Sequence, residues 1–364
     1  MNLTVLLENY QNNPRLLHLV EGLLFAEPQK IYLKNLQGSS SEFVVGAIFM
    51  HPKTQGLNHL IVLNDAEEAA YFHNTLENLT SALDLFYFPS SFKTQKNFRL
   101  LNSSHVMLRT EALTKLANGG NKKIIITYPE ALFEKVVLPK TLSGNIISIK
   151  TNDTINLDGL LELFVMYGFV RTDFVYEPGQ FALRGGILDI YSFGNEKPYR
   201  VELFGNDVDS IRIFDPETQL SERKLLQVSI IPNVETQFET GDKVSLLEFL
   251  PENTIVWLKD WDVIKGKIEQ EEEDLGLFLE KITAAKEAFG ATAKTTKHPK
   301  HQAAEEDDED DSKILKEVSL LDFTAVATTE RQIQQRHIVE FGRQQFFSNG
   351  SKKMTDDSEG SSVN

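Results

Sequence analysis

Short apolar runs alternate with amphipathic helical segments along the first 138 residues of the chain. The runs expected to be buried strands are residues 31–33, 60–63, 85–88 and 124–127. Between them, residues 66–79 place apolar side chains at the spacing of one helical face, and residues 108–116 do the same before the Gly119-Gly120 pair. This alternation is typical of parallel α/β folds. Residues 1–138 are therefore predicted to form the first part of an outer α/β domain.

A different pattern begins at Pro139, where one helical face is followed by several short alternating segments. The helical face is predicted from Leu157, Leu160, Leu161, Phe164 and Val165. Strands are expected at residues 174–176, 181–183, 187–191, 199–204 and 210–214. Pro178-Gly179 suits a type II turn, and Gly185-Gly186 indicates a bulge or bend. Residues 139–232 are predicted to form an α+β domain with an antiparallel sheet.

After Pro232 the pattern returns to α/β, and residues 233–347 are predicted to be the second part of the outer domain. A short helix is expected at residues 245–250, a buried strand at 254–258 and a long charged helix at 261–289. Residues 291–312 end in consecutive acids from Glu305 to Asp311 and are predicted to be a disordered loop. Residues 348–364 are expected to be a disordered tail. The order of the segments fits an inserted middle domain without establishing it.

Composition narrows the classes of function. The formal net charge of −16 argues against a general binder of nucleic-acid backbones, because such binding depends on clustered Lys and Arg. The absence of cysteine excludes disulfides and thiolate metal sites. The first residues lack the pattern of a signal peptide, and there is no apolar run of about 18 residues. The protein is expected to be soluble and cytoplasmic.

The turn after the first strand is where such a fold would carry a phosphate loop. This turn contains Gly38, Ser39, Ser40, Ser41 and Glu42. A working loop needs a second glycine followed by Lys and Ser or Thr, so that backbone amides and a lysine hold the phosphates. Glu42 lies near the position of that cation and would repel phosphate, so the loop is predicted to be non-functional. The eight histidines show no metal-ligand spacing, and no catalytic residue, metal or cofactor is predicted.

Two arginines beside turns remain as binding candidates. Arg171 precedes the middle sheet, and Arg184 lies at the end of a predicted strand. Arginine anchors interfaces because its planar guanidinium makes bidentate contacts and stacks on aromatic rings. The spacing alone favours this role no more than ordinary ion pairs with Asp173 or Asp189.

Charges alternate along two later strands of the same sheet. Arg200 and Arg212 stand against Glu202 and Asp209 in the predicted pairing. We expect cross-strand charge pairs on the solvent face, each contributing about 0.2 to 1 kcal/mol.

The middle region resembles a known family along a continuous stretch. The matching residues are the Pro-Gly-x-Phe-Ala-x-Arg-Gly-Gly-Ile-Leu-Asp-Ile core at 178–190, then segments 198–204, 209–212 and 214–219. They resemble the UvrB-like region near the N-terminus of the bacterial transcription-repair coupling factors (Mfd), a region shared with the excinuclease subunit UvrB. The resemblance implies a split outer domain, related to a degenerate helicase fold, with a smaller domain inserted.

The resemblance also implies a site and a function. In UvrB, the equivalents of Arg171 and Arg184 belong to the surface that binds the excinuclease subunit UvrA. UvrB has a further contacting arginine where this chain has Ala182, so the contact is expected to involve Phe181 and its neighbours. The chain is predicted to be a non-catalytic adaptor that binds UvrA and so recruits nucleotide excision repair to stalled RNA polymerase.

The resemblance implies further partners for the full-length members of the family, and two alternative functions stay open for this chain. These full-length members contain an RNA polymerase-interacting domain and an ATP-dependent translocase that acts on duplex DNA, and their far C-terminus can mask the UvrA-binding face. The helicase motifs are not found in this sequence. One alternative is a DNA-binding module of the UvrB type, which the net charge and the lack of a tyrosine-rich hairpin in residues 65–110 oppose. The other is a regulatory domain that holds ATP without hydrolysing it.

Overall fold

The computed structural model describes residues 3–80, 84–94, 96–120, 122–292 and 316–342. The helices are α1 Leu3–Gln11, α2 Pro14–Leu23, α3 Ser40–Met50, α4 Ala66–Thr80, α5 Ser103–Ala117, α6 Pro129–Phe133, α7 Pro139–Gly144, α8 Leu157–Met166, α9 Leu246–Phe249, α10 Trp261–Thr292 and α11 Val326–Gln334. The strands are β1 Lys30–Tyr32, β2 Asn58–Val62, β3 Leu85–Tyr87, β4 Ile124–Thr127, β5 Val136–Val137, β6 Ile147–Lys150, β7 Val170–Arg171, β8 Gln180–Arg184, β9 Ile187–Ile190, β10 Tyr199–Phe204, β11 Asp207–Phe214, β12 Ser221–Leu225, β13 Gln227–Ile230, β14 Lys243–Val244, β15 Thr254–Leu258 and β16 Ile338–Glu340.

The first sheet has six strands in the order β1-β16-β15-β2-β4-β3, and all neighbours are parallel. Every residue of β2, β4 and β15 is buried, as expected for central strands covered on both faces. Strands from both ends of the chain therefore share one sheet, and the predicted parallel α/β architecture is confirmed. The relation to a helicase fold stays a prediction.

The second sheet lies between those two groups of strands in the sequence and has the order β12-β11-β10-β9-β8-β7. Its pairs are antiparallel except at one edge, where β7 runs parallel to β8. The prediction of a purely antiparallel sheet is wrong there, as is the strand predicted at residues 174–176. That segment crosses the sheet, where Val175 packs in a small buried cluster with Ala182, Tyr191 and Phe214.

Two glycine turns fix the geometry of this edge. Gly179 has a φ of 87° and follows Pro178, and the amide of Gln180 donates to the carbonyl of Glu177 at 3.2 Å, which agrees with the predicted type II turn. A Cβ at position 179 would lie 2.3 Å from the Phe193 ring, so glycine is required there. Gly185-Gly186 forms the two-residue loop between β8 and β9 instead of a bulge. Among the described strand pairs of this sheet, register shifts fall at Glu202–Leu203 of β10 and at Ile213–Phe214 of β11.

The helix α8 packs on the second sheet through Leu160 and Phe164. Its neighbour Val165 was predicted in the same buried face, but its side chain is 62% exposed. The reason is geometric, since Val165 is turned about 100° from Phe164 around the helix axis. The true buried stripe therefore ends at Phe164, and the last turn of α8 faces solvent.

A buried ionic cluster joins the outer sheet to the end of the middle region. The Arg109 guanidinium on α5 is fully buried, and its Nε donates to Glu235 at 2.6 Å. Its Nη2 lies 3.5 Å from Glu134, and the Lys316 ammonium lies 2.9 Å from the other oxygen of Glu235. Burial alone would raise the pKa of Glu235, but the two cations hold it well below its usual range. We call Arg109, Glu134, Glu235 and Lys316 the junction cluster.

Two predicted segments lie wholly or mostly outside the residues that the structure describes. The helix α10 continues to Thr292, beyond the predicted end at residue 289. The remainder of the predicted acidic loop, residues 293–312, and the predicted tail, residues 348–364, lie outside the described residues. Within the described ranges, no helix combines the length and apolarity that crossing a membrane requires.

Candidate functional site

The edge strand β7 carries the first of the predicted site residues. Val170 and Arg171 are both exposed, and β7 has a paired strand on one side only. The amides of Val170 and Thr172 donate to β8 and its preceding turn, which directs the amide and carbonyl of Arg171 away from the sheet. Within the described part of the chain, the Arg171 side chain makes no hydrogen bond or ion pair. Its guanidinium therefore needs no rearrangement before meeting a partner.

Arg184 is held in place by three neighbours. Its Nη2 lies 2.5 Å from the Asp189 carboxylate, and its Nη1 donates to the carbonyl of Asp173 at 3.1 Å. The guanidinium carbon lies 4.5 Å from the centre of the Phe174 ring. The side chain nevertheless remains 34% exposed. The sequence left open whether each arginine contacts a partner or makes a local ion pair. Arg184 makes a local ion pair, and Arg171 makes none among the described residues.

Asp189 lies beneath this arrangement and organises it. Its carboxylate is fully buried and accepts two hydrogen bonds from Arg200, at 2.7 and 2.9 Å, in addition to the contact with Arg184. These bonds raise the pKa of Arg200. A bidentate pair of this kind fixes orientation as well as charge. Asp189 thus positions Arg184 on the rigid part of the sheet.

The register of β7 and β8 separates the two arginines. Arg171 is paired with Phe181, and Arg184 lies three residues farther along β8, about 10 Å at the rise of a strand. Side chains alternate between faces, so Arg171 is on the side of Phe181 and Arg184 is on the opposite side. A partner that touches both must enclose the edge of the sheet.

Phe181 requires a correction. It was predicted to contact the partner, but its side chain is only 1% exposed. The ring packs edge-on against Phe164 of α8, with 5.5 Å between ring centres. Phe181 therefore supports the sheet from inside and does not offer a contact surface.

Exposed apolar side chains lie close to Arg171 in the sequence, at the end of α8, in β7 and in the segment after β7, and sequence reasoning missed them. Those in question are Val165, Met166, Val170, Phe174 and Tyr176, each between 48% and 63% exposed. Val165 and Met166 end α8, which packs against β7, while Phe174 and Tyr176 follow β7. The signal in the sequence is the density of large apolar residues between 164 and 176, of which only Phe164, Val165 and residues 174–176 are predicted above to belong to a helical face or a strand. We call Val165, Met166, Val170, Arg171, Phe174, Tyr176 and Arg184 the β7 edge surface.

The predicted charge pairs on the later strands are correct for one pair only. Arg212 lies 3.2 Å from Glu202, as expected for neighbouring strands. Arg200 instead reaches Asp189 on β9, and Asp209 forms neither pair. The alternation of side chains along each strand did not indicate that the buried Asp189 is paired directly with Arg200.

The predicted non-functional phosphate loop lies at the start of α3 and borders a cavity of about 280 Å³. Gly38 has a φ of 56°, and Ser39 precedes α3 without a side-chain hydrogen bond to the helix. The Ser41 hydroxyl donates to Glu42 at 2.7 Å. Glu42 and Glu68 both line the cavity, where a phosphate would meet two carboxylates against the single ammonium of Lys259. This charge balance agrees with the predicted loss of phosphate binding, which stays a prediction.

Comparison with known proteins places the second sheet in a family. Residues 147–235 match the model of the UvrB interaction domain. The transcription-repair-coupling factor of Bacillus subtilis is 32% identical over 160 residues, which are 44% of this chain and 13% of the relative. That of Borreliella burgdorferi is 27% identical over 236 residues, 64% of this chain and 20% of the relative. That of Haemophilus influenzae is 29% identical over 185 residues, 50% of this chain and 16% of the relative.

These matches correspond to the described fold. The family match begins at the first residue of β6 and ends at Glu235 of the junction cluster, so it contains the whole second sheet and the β7 edge surface. The chain spans at most about one-fifth of the length of these curated relatives in the matched regions. Residues 147–235 therefore match the UvrB interaction domain, and the predicted resemblance of the chain to the N-terminal UvrB-like region of transcription-repair-coupling factors is confirmed.

Proposed function

We propose that the chain is a non-catalytic adaptor that binds UvrA through the β7 edge surface. The observation that carries this proposal is Arg171, an exposed arginine on an unpaired strand edge that has no partner among the described residues. Through UvrA it would recruit nucleotide excision repair to stalled RNA polymerase. Support comes from the UvrB interaction domain and from similarity to transcription-repair-coupling factors.

The surface has the composition of a protein interface. Arginine and aromatic residues dominate binding energy where they are fully desolvated in a complex. Arg171 brings an uncommitted guanidinium, and the neighbouring Val170, Phe174 and Tyr176 bring apolar area. Arg184 is already ordered by Asp189 and Phe174, so little conformational freedom remains to be lost on binding.

Neither catalysis nor cofactor binding is assigned to this chain alone, because the loop at Gly38 lacks the lysine that phosphate chemistry needs. Contacts with RNA polymerase and duplex DNA would belong to other domains of a full-length protein, whose C-terminal domain could mask the β7 edge surface. A cytoplasmic location is part of the same proposal.

A binding titration of purified UvrA against the full chain tests the proposal. Arg171→Ala is expected to weaken Kd about 30-fold, the effect of losing a hot-spot arginine worth about 2 kcal/mol. The matched control is Arg223→Ala, since Arg223 is also exposed but lies on β12, at the opposite edge of the same sheet. Equal affinity of both variants and the unmodified chain would contradict the proposed site. Salt-dependent binding of duplex DNA without binding of UvrA would favour the DNA-binding alternative.

A further inference from the structure

A charged residue interrupts the buried stripe of α10. Ile264, Ile268 and Leu275 face the core and are at most 1% exposed, and Glu271 occupies the same stripe at 9% exposure. Burial, with the nearby carboxylates of Glu130, Asp274 and Glu134, raises the pKa of Glu271 to about 7. An apolar residue at this position would stabilise the helix packing better, because burying a carboxylate is costly. Its presence indicates a role other than packing.

The Glu271 carboxylate has no compensating partner. Within the described part of the chain it makes no hydrogen bond and no ion pair. The nearest cationic candidate, Lys96, is directed instead to Asp274 at 3.6 Å and its side chain is 70% exposed. His105 already contacts the carbonyl of Ser90 through its ring, and burial lowers its pKa, which favours the neutral form.

Glu271 lines a cavity of about 190 Å³ between α10 and the first sheet. Three aromatic side chains, Phe92, Phe98 and Tyr128, form walls of the cavity, and Glu130 adds a second carboxylate. Tyr128, which also lines it, directly follows β4, and Ser90 lies three residues after the end of β3. Ligands of open α/β sheets bind at this carboxyl edge. The cavity is therefore in a suitable position for a ligand.

Size and chemistry define the ligand class. The volume is smaller than the roughly 300 to 1,000 Å³ typical of pockets for whole small molecules, so one extended chain fits better. Apolar aromatic walls suit the alkyl stem of an amine, and the carboxylate of Glu271 supplies the counter-charge of its ammonium group. Lys93 and Lys96 also line the cavity, with exposed side chains, and Lys96 forms its ion pair with Asp274 and not with Glu271. We propose that this cavity is a binding site for an alkylammonium group, from either a lysine side chain of a partner protein or a free aliphatic amine.

The test is a titration of the methyl-labelled full chain with n-butylammonium chloride, followed by NMR. Saturable shifts are expected, whereas n-butanol and sodium chloride at equal ionic strength should cause none that saturate. Glu271→Gln should weaken binding at least tenfold, and Glu273→Gln, an exposed change on the same helix, should leave it unchanged. Lys96→Ala should strengthen binding because it removes a competing cation.

Two further ligands show whether the alkylammonium group comes from a protein partner or from a free amine. Tighter binding of Nα-acetyl-lysine-methylamide assigns the site to a protein partner, and tighter binding of spermidine assigns it to a free amine. No saturable butylammonium binding, or binding by Glu271→Gln that equals that of the unmodified chain, would overturn the proposal. The site lies outside the UvrB interaction domain, so this result is independent of UvrA binding.

Discussion

Replacing Arg109 with methionine is expected to lower the free energy of unfolding by about 3 to 5 kcal/mol, the usual cost of removing one member of a buried ionic cluster. Arg109 is fully buried and donates to Glu235 at 2.6 Å and to the carbonyl of Pro89 at 2.9 Å. Its guanidinium also stacks 4.4 Å from the Phe88 ring centre. Methionine fills part of the space but leaves Glu134 without its cation.

Urea denaturation of the full chain measures this change. The matched control is Arg99→Met, because the Arg99 side chain is exposed and only its backbone takes part in described hydrogen bonds, with Lys316 and Asn97. That control should change stability by less than about 0.5 kcal/mol. Adding Glu134→Gln to Arg109→Met should recover part of the loss, since it removes the orphaned charge. A loss from Arg109→Met as small as that of the control would contradict the role of the junction cluster.

Replacing Asp189 with asparagine is expected to have the second largest effect, a loss of about 2 to 4 kcal/mol in the free energy of unfolding. Asp189 is fully buried and is the shared counter-ion of Arg184 and Arg200. Asparagine retains the shape but supplies no charge and only one acceptor oxygen, so two guanidinium groups compete for it. The same change should weaken UvrA binding because Arg184 loses its fixed orientation.

Thermal denaturation and UvrA titration of Asp189→Asn check the two effects together. Asp209→Asn is the control, because Asp209 is an exposed aspartate on β11 of the same sheet and forms no ion pair among the described contacts. It should leave both stability and affinity within experimental error. If the two variants behave alike, the idea that Asp189 positions the arginines is wrong.

Much of the fold could be predicted because its signals are local. The strand at Ile124–Thr127 and the strand at Thr254–Leu258 are continuous apolar runs, and both occur with the predicted bounds. The turn at Pro178-Gly179 could also be predicted, because proline presets its own φ and glycine accepts a positive φ. Helix ends were less accurate, and α5 begins at Ser103, five residues before the predicted start.

The site was less predictable because it depends on contacts between distant residues. Phe181, the predicted contact residue, is buried, and Val165, a predicted core residue, is exposed. Both depend on how α8 sits on the sheet, which no local pattern specifies. The junction cluster was missed for the same reason, since Arg109, Glu235 and Lys316 are far apart in sequence and meet only in the fold. Arg171 is exposed, although it lies within the edge strand β7 and not before the sheet, and its role in binding stays a prediction.

Hydrogen–deuterium exchange of the full chain, with and without UvrA, tests the central proposal most directly. Binding at the β7 edge surface predicts slower exchange of amides in residues 165–184, with Arg171→Ala abolishing that protection. Residues 221–225 of β12, at the other edge of the sheet, should exchange at the same rate in both states. Protection confined to the outer α/β domain or to β12, with residues 165–184 unchanged, would contradict the account.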